Sequence, residues 1–483
     1  MSGWRLEHSY ASLPALFHTR VAPTPVTDPQ FVVFNPALAA ELGLDVPTLD
    51  TPAGAAIFGG NGLPHGALPL AQAYAGHQFG HFTALGDGRA ILLGEQITPT
   101  GARVDVQLKG AGPTPYSRRG DGRAALGPML RELVVSEAMA ALGIPTSRSL
   151  AVVSTGEPVY REQPLPGAVL TRIAASHLRV GTFEWAAAHK DDAALRALAD
   201  YTLHRHYPEV AGAETPHLAL FDAVVERQAR LLAQWQLVGF IHGVMNTDNM
   251  SLAGESIDYG PCAFMDRYDP GTVFSSIDAQ GRYAYANQPP IAQWNLARLA
   301  EAMLPLLAAD QARALELANA SIARFDARFE HHWLSGLRAK LGLVTVEPDD
   351  AALADALLTW MHESRADFTN TFRALSTAGA VDAAMVADAA FQAWHAQWQA
   401  RLARQPQTAA DVAALMQRSN PAVIPRNHKV EEALAAASGQ GDLVPLERLL
   451  AAVASPYDHA RERPGFDAPE GPDGRPYRTF CGT

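Results

Sequence analysis

Over residues 126–142, apolar side chains fall at Leu126, Leu130, Leu133 and Val134, Ala138, and Ala141 and Leu142. That is the period of one buried helix face, and Gly143 and Pro145 supply its stop. Val104-Asp-Val-Gln-Leu-Lys109 alternates with period two, and Ala90-Ile-Leu-Leu-Gly-Glu95 is a short apolar run. Both predict strands, as do Leu150-Ala-Val-Val-Ser154 and Ala168-Val-Leu-Thr-Arg-Ile173. Ahead of them, residues 1–60 predict mostly loop, with Pro23, Pro25, Pro29 and Pro36 breaking short apolar runs.

From about residue 195 the pattern turns helical. Residues 218–236 predict a long amphipathic helix, and helical spacing returns at 294–307, 311–341, 351–373, 381–402, 409–416 and 430–437. Alanine-rich stretches among these express helix propensity. No solenoid repeat is visible, and the Pro/Gly-rich tail from Pro456 predicts an extended segment. Strands early and helices late make an α+β chain.

Composition narrows the function classes. The chain has 483 residues, 48% of them hydrophobic and 18% charged, enough for an ample core. Its formal charge of -12 and pI near 5.8 argue against sequence-independent nucleic-acid binding. No apolar run reaches the ~18 residues of a membrane span, and Met1-Ser-Gly-Trp-Arg-Leu-Glu-His8 lacks the form of a secretory signal. A cytoplasmic monomer that binds neither nucleic acid nor membrane is expected. Two cysteines, Cys262 and Cys481, are too few for a disulfide framework. They are either two unrelated thiols or a reversible pair tying the tail to an internal loop.

The chemistry concentrates in Gly239-Phe-Ile-His-Gly-Val-Met-Asn-Thr-Asp-Asn249 and Ile257-Asp-Tyr-Gly260. Together they resemble the catalytic loop and metal triplet of a protein kinase, His-Arg-Asp, four residues, Asn, then Asp-Phe-Gly. His242 matches the histidine, and Asn249 and Asp258 match the magnesium ligands. Val244 stands where the catalytic base belongs, and a valine accepts no proton. Asp248 is the carboxylate within the loop that can replace it, or a structural cap. Asn249 and Asp258 offer hard oxygens suited to Mg²⁺ beside substrate phosphates. His77 and His81 are spaced like a metal pair, but no third ligand accompanies them.

Lys109 closes its strand as the phosphate-contacting kinase lysine does; the plainer reading is a solvated strand end. Glu132 and Glu137 follow on the next helix, about 140° apart around it, so one can face the lysine, and Glu132 is the expected partner. Gly86-Asp-Gly-Arg89 and Gly120-Asp-Gly-Arg123 bracket the lysine. They are either phosphate-approaching loops or ordinary Asp-Gly turns. Arg172, in the last predicted strand, and Arg179 stand seven apart near where a kinase holds adenine. Paired guanidiniums suit phosphate oxygens or surface salt bridges.

Val104–Met129, Gly167–Phe183, the 239–251 run, Asp258-Tyr-Gly-Pro-Cys-Ala-Phe-Met-Asp266 and the terminal Cys481-Gly-Thr483 together resemble the selenoprotein O family, also called the YdiU family, of kinase-like protein adenylyltransferases. The likeness covers nearly the whole chain. It implies a kinase-like two-lobed fold with a mixed small lobe (1–185, with an N-terminal extension), a mainly helical large lobe (186–345) and a helical C-terminal extension and tail (346–483). It implies ATP bound in reversed orientation and AMP, or UMP from UTP, transferred to Ser, Thr or Tyr hydroxyls of proteins with release of pyrophosphate. Carried over, Gly86, Gly88, Arg89, Lys109, Asp121, Gly122, Arg172, Arg179 and Asp258 belong to the nucleotide site. Asn249 and Asp258 would hold Mg²⁺ or Mn²⁺, with Asp248 as base. Ordinary phosphotransfer and a catalytically silent ATP-binding scaffold are the competing readings.

Overall fold

The strand-forming alternation of residues 90–174 closes into a large antiparallel sheet. The computed structural model describes residues 2–377, 381, 383–470 and 477–479. Among these the sheet has nine strands. Its main path runs His18–Arg20, Leu70–Gln72, Ala90–Ile97, Arg103–Lys109, Pro164–Ala174, Arg148–Tyr160 and Gln30–Phe34, while Leu6–Glu7 and Ala124–Ala125 pair beside it. The chain is thus a mixed α+β protein with many helices.

Register sorts the side chains. Lys109 lies opposite Ala90 and Leu170, and Arg172 opposite Gln107. With period two, Lys109, Gln107 and Arg172 share one face. Ile91, Leu93, Val106, Leu108, Val169 and Ile173 pack with Leu38, Leu42, Leu49 and Phe58 of the N-terminal segment. The helix Leu126–Ala141 joins Leu130, Leu133, Val134 and Ala138 to Val152 and Leu170 of the sheet. Its outer side is covered by Asn427–Gln440 and Val444–Val453, through Val430, Ala433, Leu446 and Leu449. The chain's C-terminal helices therefore clamp a helix formed three hundred residues earlier.

Residues 1–60 hold more structure than their prolines predict. Pro36 and Pro52 begin the short helices Pro36–Glu41 and Pro52–Phe58, capped by the side chains of Asn35 and Thr51. Proline is at home in a first helical turn, where its missing N–H has no partner to lose. Three predicted helices divide. The 311–341 pattern becomes Gln311–Ile322 and Phe325–Lys340; no Gly or Pro marks the break, which puts Phe325 fully into the core. The 351–373 pattern becomes Asp350–Ser364 and Phe368–Leu375, separated by Arg365 at φ 57 and capped by Asp367. Asp388 likewise caps Ala389–Leu402, apart from Ala383–Ala387. The helix Val444–Val453 carries no prediction. No described helix is long and apolar enough to cross a membrane.

A buried polar junction ties the sheet to the first long helix beyond it. Asp105 Oδ1 accepts from Arg205 Nη2 at 2.6 Å, and its Oδ2 accepts from the backbone N–H of His177 at 2.8 Å. Arg205 lies on Asp192–His206 and also donates to the Ala175 carbonyl at 2.7 Å. Burial pushes the Asp105 carboxyl up, but Arg205 and His177 outweigh it and bring it to about 2. Asp105→Asn is expected to lower the unfolding free energy by about 2–3 kcal/mol at neutral pH. The folded pKa is depressed, so wild type keeps this contribution above pH ~4 and loses it as pH falls through about 2. Urea unfolding across that range should show a shallower acid slope for the variant.

Candidate active site

Lys109, Arg172 and the loop 257–260 converge because one helix face and one sheet face meet at Glu132. Lys109 Nζ donates to Glu132 Oε2 at 2.7 Å, and Arg172 Nε donates to Glu132 Oε1. Arg172 Nη2 donates to Asp258 Oδ1 at 2.7 Å, and Arg179 Nη1 to Asp258 Oδ2 at 2.6 Å. The result is a continuous chain of alternating charge, Lys109, Glu132, Arg172, Asp258, Arg179. Glu137 faces elsewhere and pairs with Arg148 at 2.7 Å.

The electrostatics follow from that order. Burial alone would push Glu132 up, yet Arg172 and Lys109 hold it below the ordinary carboxylate range. Burial together with Arg172 pulls the Lys109 ammonium down to about 8, against the opposing effect of Glu132. Arg172 thus favours the carboxylate and disfavours the second cation at once. Asp258 is held well below its usual range by Arg172, Arg179 and Lys109 in spite of burial. Its backbone sits at φ 59, a left-handed conformation rare outside glycine.

These groups line a cleft of about 370 Å³, within the ~300–1,000 Å³ of small-ligand sites. Both Gly-Asp-Gly-Arg segments reach it. The 110–123 segment folds over the first copy: Thr114 Oγ1 donates to the Asp87 carbonyl at 2.6 Å and Ser117 Oγ to the Gly88 carbonyl at 2.5 Å. Gly122, at φ +67, lies against the Gly112 carbonyl where a Cβ would collide. Asp121 is at the exposed rim and pairs with Arg161 at 2.8 Å. Arg89, Lys109, Arg118, Arg123, Arg161, Arg172 and Arg179 face Asp87, Asp121, Asp248 and Asp258 in this lining. A cationic excess in an acidic protein marks the cleft as a site for phosphates or other anions.

The loop 242–249 is held from several sides. His242 is fully buried, stacked on Trp235, with Nε2 on the Ile257 carbonyl at 2.9 Å. Asn249 Nδ2 donates to the Val244 carbonyl at 2.9 Å, which turns its Oδ1 away. The Asp248 carbonyl accepts from Arg179 at 2.8 Å. Burial pushes the Asp248 carboxyl up to about 6, with Arg179 opposing. Asp248 Oδ1 is buried without a hydrogen-bond partner. Asn249 and Asp258 bring hard oxygens to one cleft beside that orphaned oxygen, a donor set that fits Mg²⁺ or Mn²⁺ completed by phosphates. Among the described residues no group of three or more His, Cys, Asp or Glu is arranged to hold a metal unaided.

Other contributors escape the kinase-like pattern. The strands Ala75–Gln78 and His81–Ala84 form a hairpin over the loop. A Cβ on Gly76 would strike Asp248 Oδ1, so the approach requires glycine. His77 N donates to Thr247 Oγ1 at 2.6 Å, and that hydroxyl donates to Glu184 Oε2 at 2.6 Å. Glu184 also engages His77 Nδ1, so His77 braces the loop, while His81 is exposed. Tyr74 lies under Arg179, 4.4 Å from guanidinium carbon to ring centroid. The glycine-broken run Gly76-His-Gln-Phe-Gly-His81 was the available signal for this hairpin. Cys262 is fully buried, and burial pushes its thiol up to about 12; Cys481 lies outside the described residues.

Residues 3–454 match the family model described as protein adenylyltransferase SelO. The chain belongs to the SelO family. It is 58% identical over 482 residues to the protein nucleotidyltransferase YdiU of Bacillus mycoides, covering 100% of this chain and 99% of that one. It is 60% identical over 482 residues to the protein of that name from Halalkalibacterium halodurans, covering 100% and 98%. This SelO-family chain is accordingly an enzyme of the nucleotidyltransferase class.

Removing Glu132 would strand two buried cations. Glu132→Ala is expected to cost about 3–5 kcal/mol of unfolding free energy, read as a lowered urea midpoint. Glu137→Ala, at a half-buried pair, should cost clearly less.

Proposed function

We propose that this chain has a kinase-like two-lobed body, divided near residues 185 and 345, that transfers AMP from ATP, or UMP from UTP, to Ser, Thr or Tyr hydroxyls of proteins. One observation carries the reading. By sequence Val244 stands at the kinase base position, and two guanidiniums, those of Arg172 and Arg179, pair with Asp258 in the cleft. Paired guanidiniums suit phosphate oxygens, and in this reading the triphosphate enters reversed, with its α-phosphorus facing the loop.

In this reading Lys109, Arg172 and Arg179 bind the phosphates, and the two Gly-Asp-Gly-Arg segments lie along the nucleotide. Asn249 and Asp258 hold the divalent ion, which supplies charge neutralisation to the triphosphate. Asp248 accepts the proton of the acceptor hydroxyl. The hydroxyl oxygen bonds to the α-phosphorus, the α–β phosphoanhydride bond breaks, and pyrophosphate leaves with the electron pair. Glu132 and Glu184 position Lys109, Arg172 and Thr247.

Parallel incubations with α-labelled and γ-labelled ATP and a mixed protein acceptor test the reaction. Protein label is expected from the α-position alone; label from the γ-position alone would make the enzyme a phosphotransferase, and label from neither a silent scaffold. Asp248→Asn is expected to lower transfer about 10²–10⁴-fold while ATP still binds. Asp258→Ala and chelation of divalent ions should each abolish transfer in the same assay.

A further inference from the structure

The outer side of the 75–84 hairpin, turned away from the nucleotide cleft, borders a second hollow of about 670 Å³. Phe79, Ile277, Pro290 and Ile291 give it apolar walls. Ile277 is 58% exposed, and Phe82 on the adjoining strand is 49% exposed. A hollow with apolar walls and an exposed Ile277 suits an interaction surface.

The hairpin turn is built at a cost. Phe79 has φ 50 and Gly80 φ 87, so both central residues of the turn are left-handed. Asn or Gly is the usual first residue of such a turn, and a phenylalanine there costs about 1–2 kcal/mol. The ring rests on Tyr283, with centroids 5.1 Å apart. Strain of this kind gathers where a side chain is needed for function.

Arg282 supplies the charge. It lines the same hollow, with its guanidinium carbon 4.9 Å from the centroid of the Trp294 ring. It has no carboxylate partner among the described residues, and its Nε is buried without a hydrogen bond. Asp278, the acid in the lining, is engaged by the backbone N–H groups of Arg282 and Tyr283 at 2.9 and 2.8 Å. A cation without an acid, in a chain of net charge -12, calls for an acid from elsewhere.

The hollow connects to the catalytic loop. Asn246 Oδ1 accepts from the Phe79 N–H at 3.0 Å and from the Tyr283 hydroxyl at 2.5 Å. Asn246 and Gln78 line the nucleotide cleft, whereas Phe79 and Arg282 line the hollow. The hairpin tip is the partition between them.

We propose that this hollow docks the acceptor polypeptide: an extended segment seats an apolar side chain against Phe79 and Ile277 and an acidic side chain on Arg282, and its neighbouring hydroxyl passes over the hairpin tip toward Asp248. The inference rests on the protein-transfer reading and adds the chemistry of the preferred acceptor, a hydroxyl flanked by apolar and acidic residues.

Two fluorescent peptides test it, one with a serine flanked by Leu and Glu and one with each Glu changed to Lys. Anisotropy gives their affinities, and α-labelled ATP gives their labelling. The acidic peptide is expected to bind about tenfold more tightly than the basic one, a difference of ~1.4 kcal/mol. Arg282→Glu should reverse that order, and Ile277→Asp, at an exposed position, should weaken the acidic peptide about tenfold with ATP affinity unchanged. Equal binding of the two peptides, or an unchanged order in Arg282→Glu, would overturn the docking site. Acidic-peptide binding without labelling would retain the docking site and remove the transfer reading. Equal labelling efficiency of both peptides would do the opposite.

Discussion

Everything in the cleft depends on the buried charge chain from Lys109 through Glu132, Arg172 and Asp258 to Arg179. Each of its ions would be expensive to bury alone, and each is tolerated because its neighbour carries the opposite sign. The members come from two sheet strands, one helix, a helix start and the loop 257–260. None of these elements reaches its charge state without the others. That makes the cleft a product of tertiary assembly rather than of any one segment. It also explains the distant clamp: helices Asn427–Gln440 and Val444–Val453 hold the helix bearing Glu132 against the sheet. The C-terminal part of the chain thereby acts on the site without entering it.

The second constraint is on the loop 242–249, which lacks the regular hydrogen bonding that fixes a helix or strand. Its neighbours take over that work. His242 ties it to residue 257, Asn249 closes it on Val244, and Thr247 binds both the hairpin and Glu184. Gly76 lets the hairpin backbone come within contact of Asp248. The closeness that positions Asp248 also removes it from water, which is why its carboxyl rises toward neutrality.

How much of this was legible in the chain differs by kind of residue. Lys109 and Glu132 stood out because strand and helix periods, which are local, place them, while Asp258 stood out by its kinase-like triplet and Arg172 by its pairing with Arg179. The strands 90–97 and 103–109 and the helix 126–141 were readable for the same reason. Gly76 and Glu184 were not, since their roles depend on a hairpin whose destination no local pattern states. Breaks at residues 323–324 and 365 were hidden likewise. A polar helix face reads the same whether the helix runs on or turns, and the turn is decided by what Phe325 and Arg365 meet in three dimensions. Pro36 misled in the other sense, because a proline that begins a helix looks like one that interrupts a loop.

The missing base at Val244 bears on the geometry of attack. Val244 and Asp258 line the same cleft, and a valine there accepts no proton. The carboxylate that remains, Asp248, is tucked beneath Gly76 at the edge nearer the hairpin, with its main chain already bound to Arg179. In the proposed reaction, proton acceptance therefore lies on the hairpin side of the cleft. In the proposed docking the acceptor hydroxyl approaches across the hairpin, whose strained turn holds Phe79. Under that proposal the place of the base and the shape of the hairpin are two parts of one arrangement.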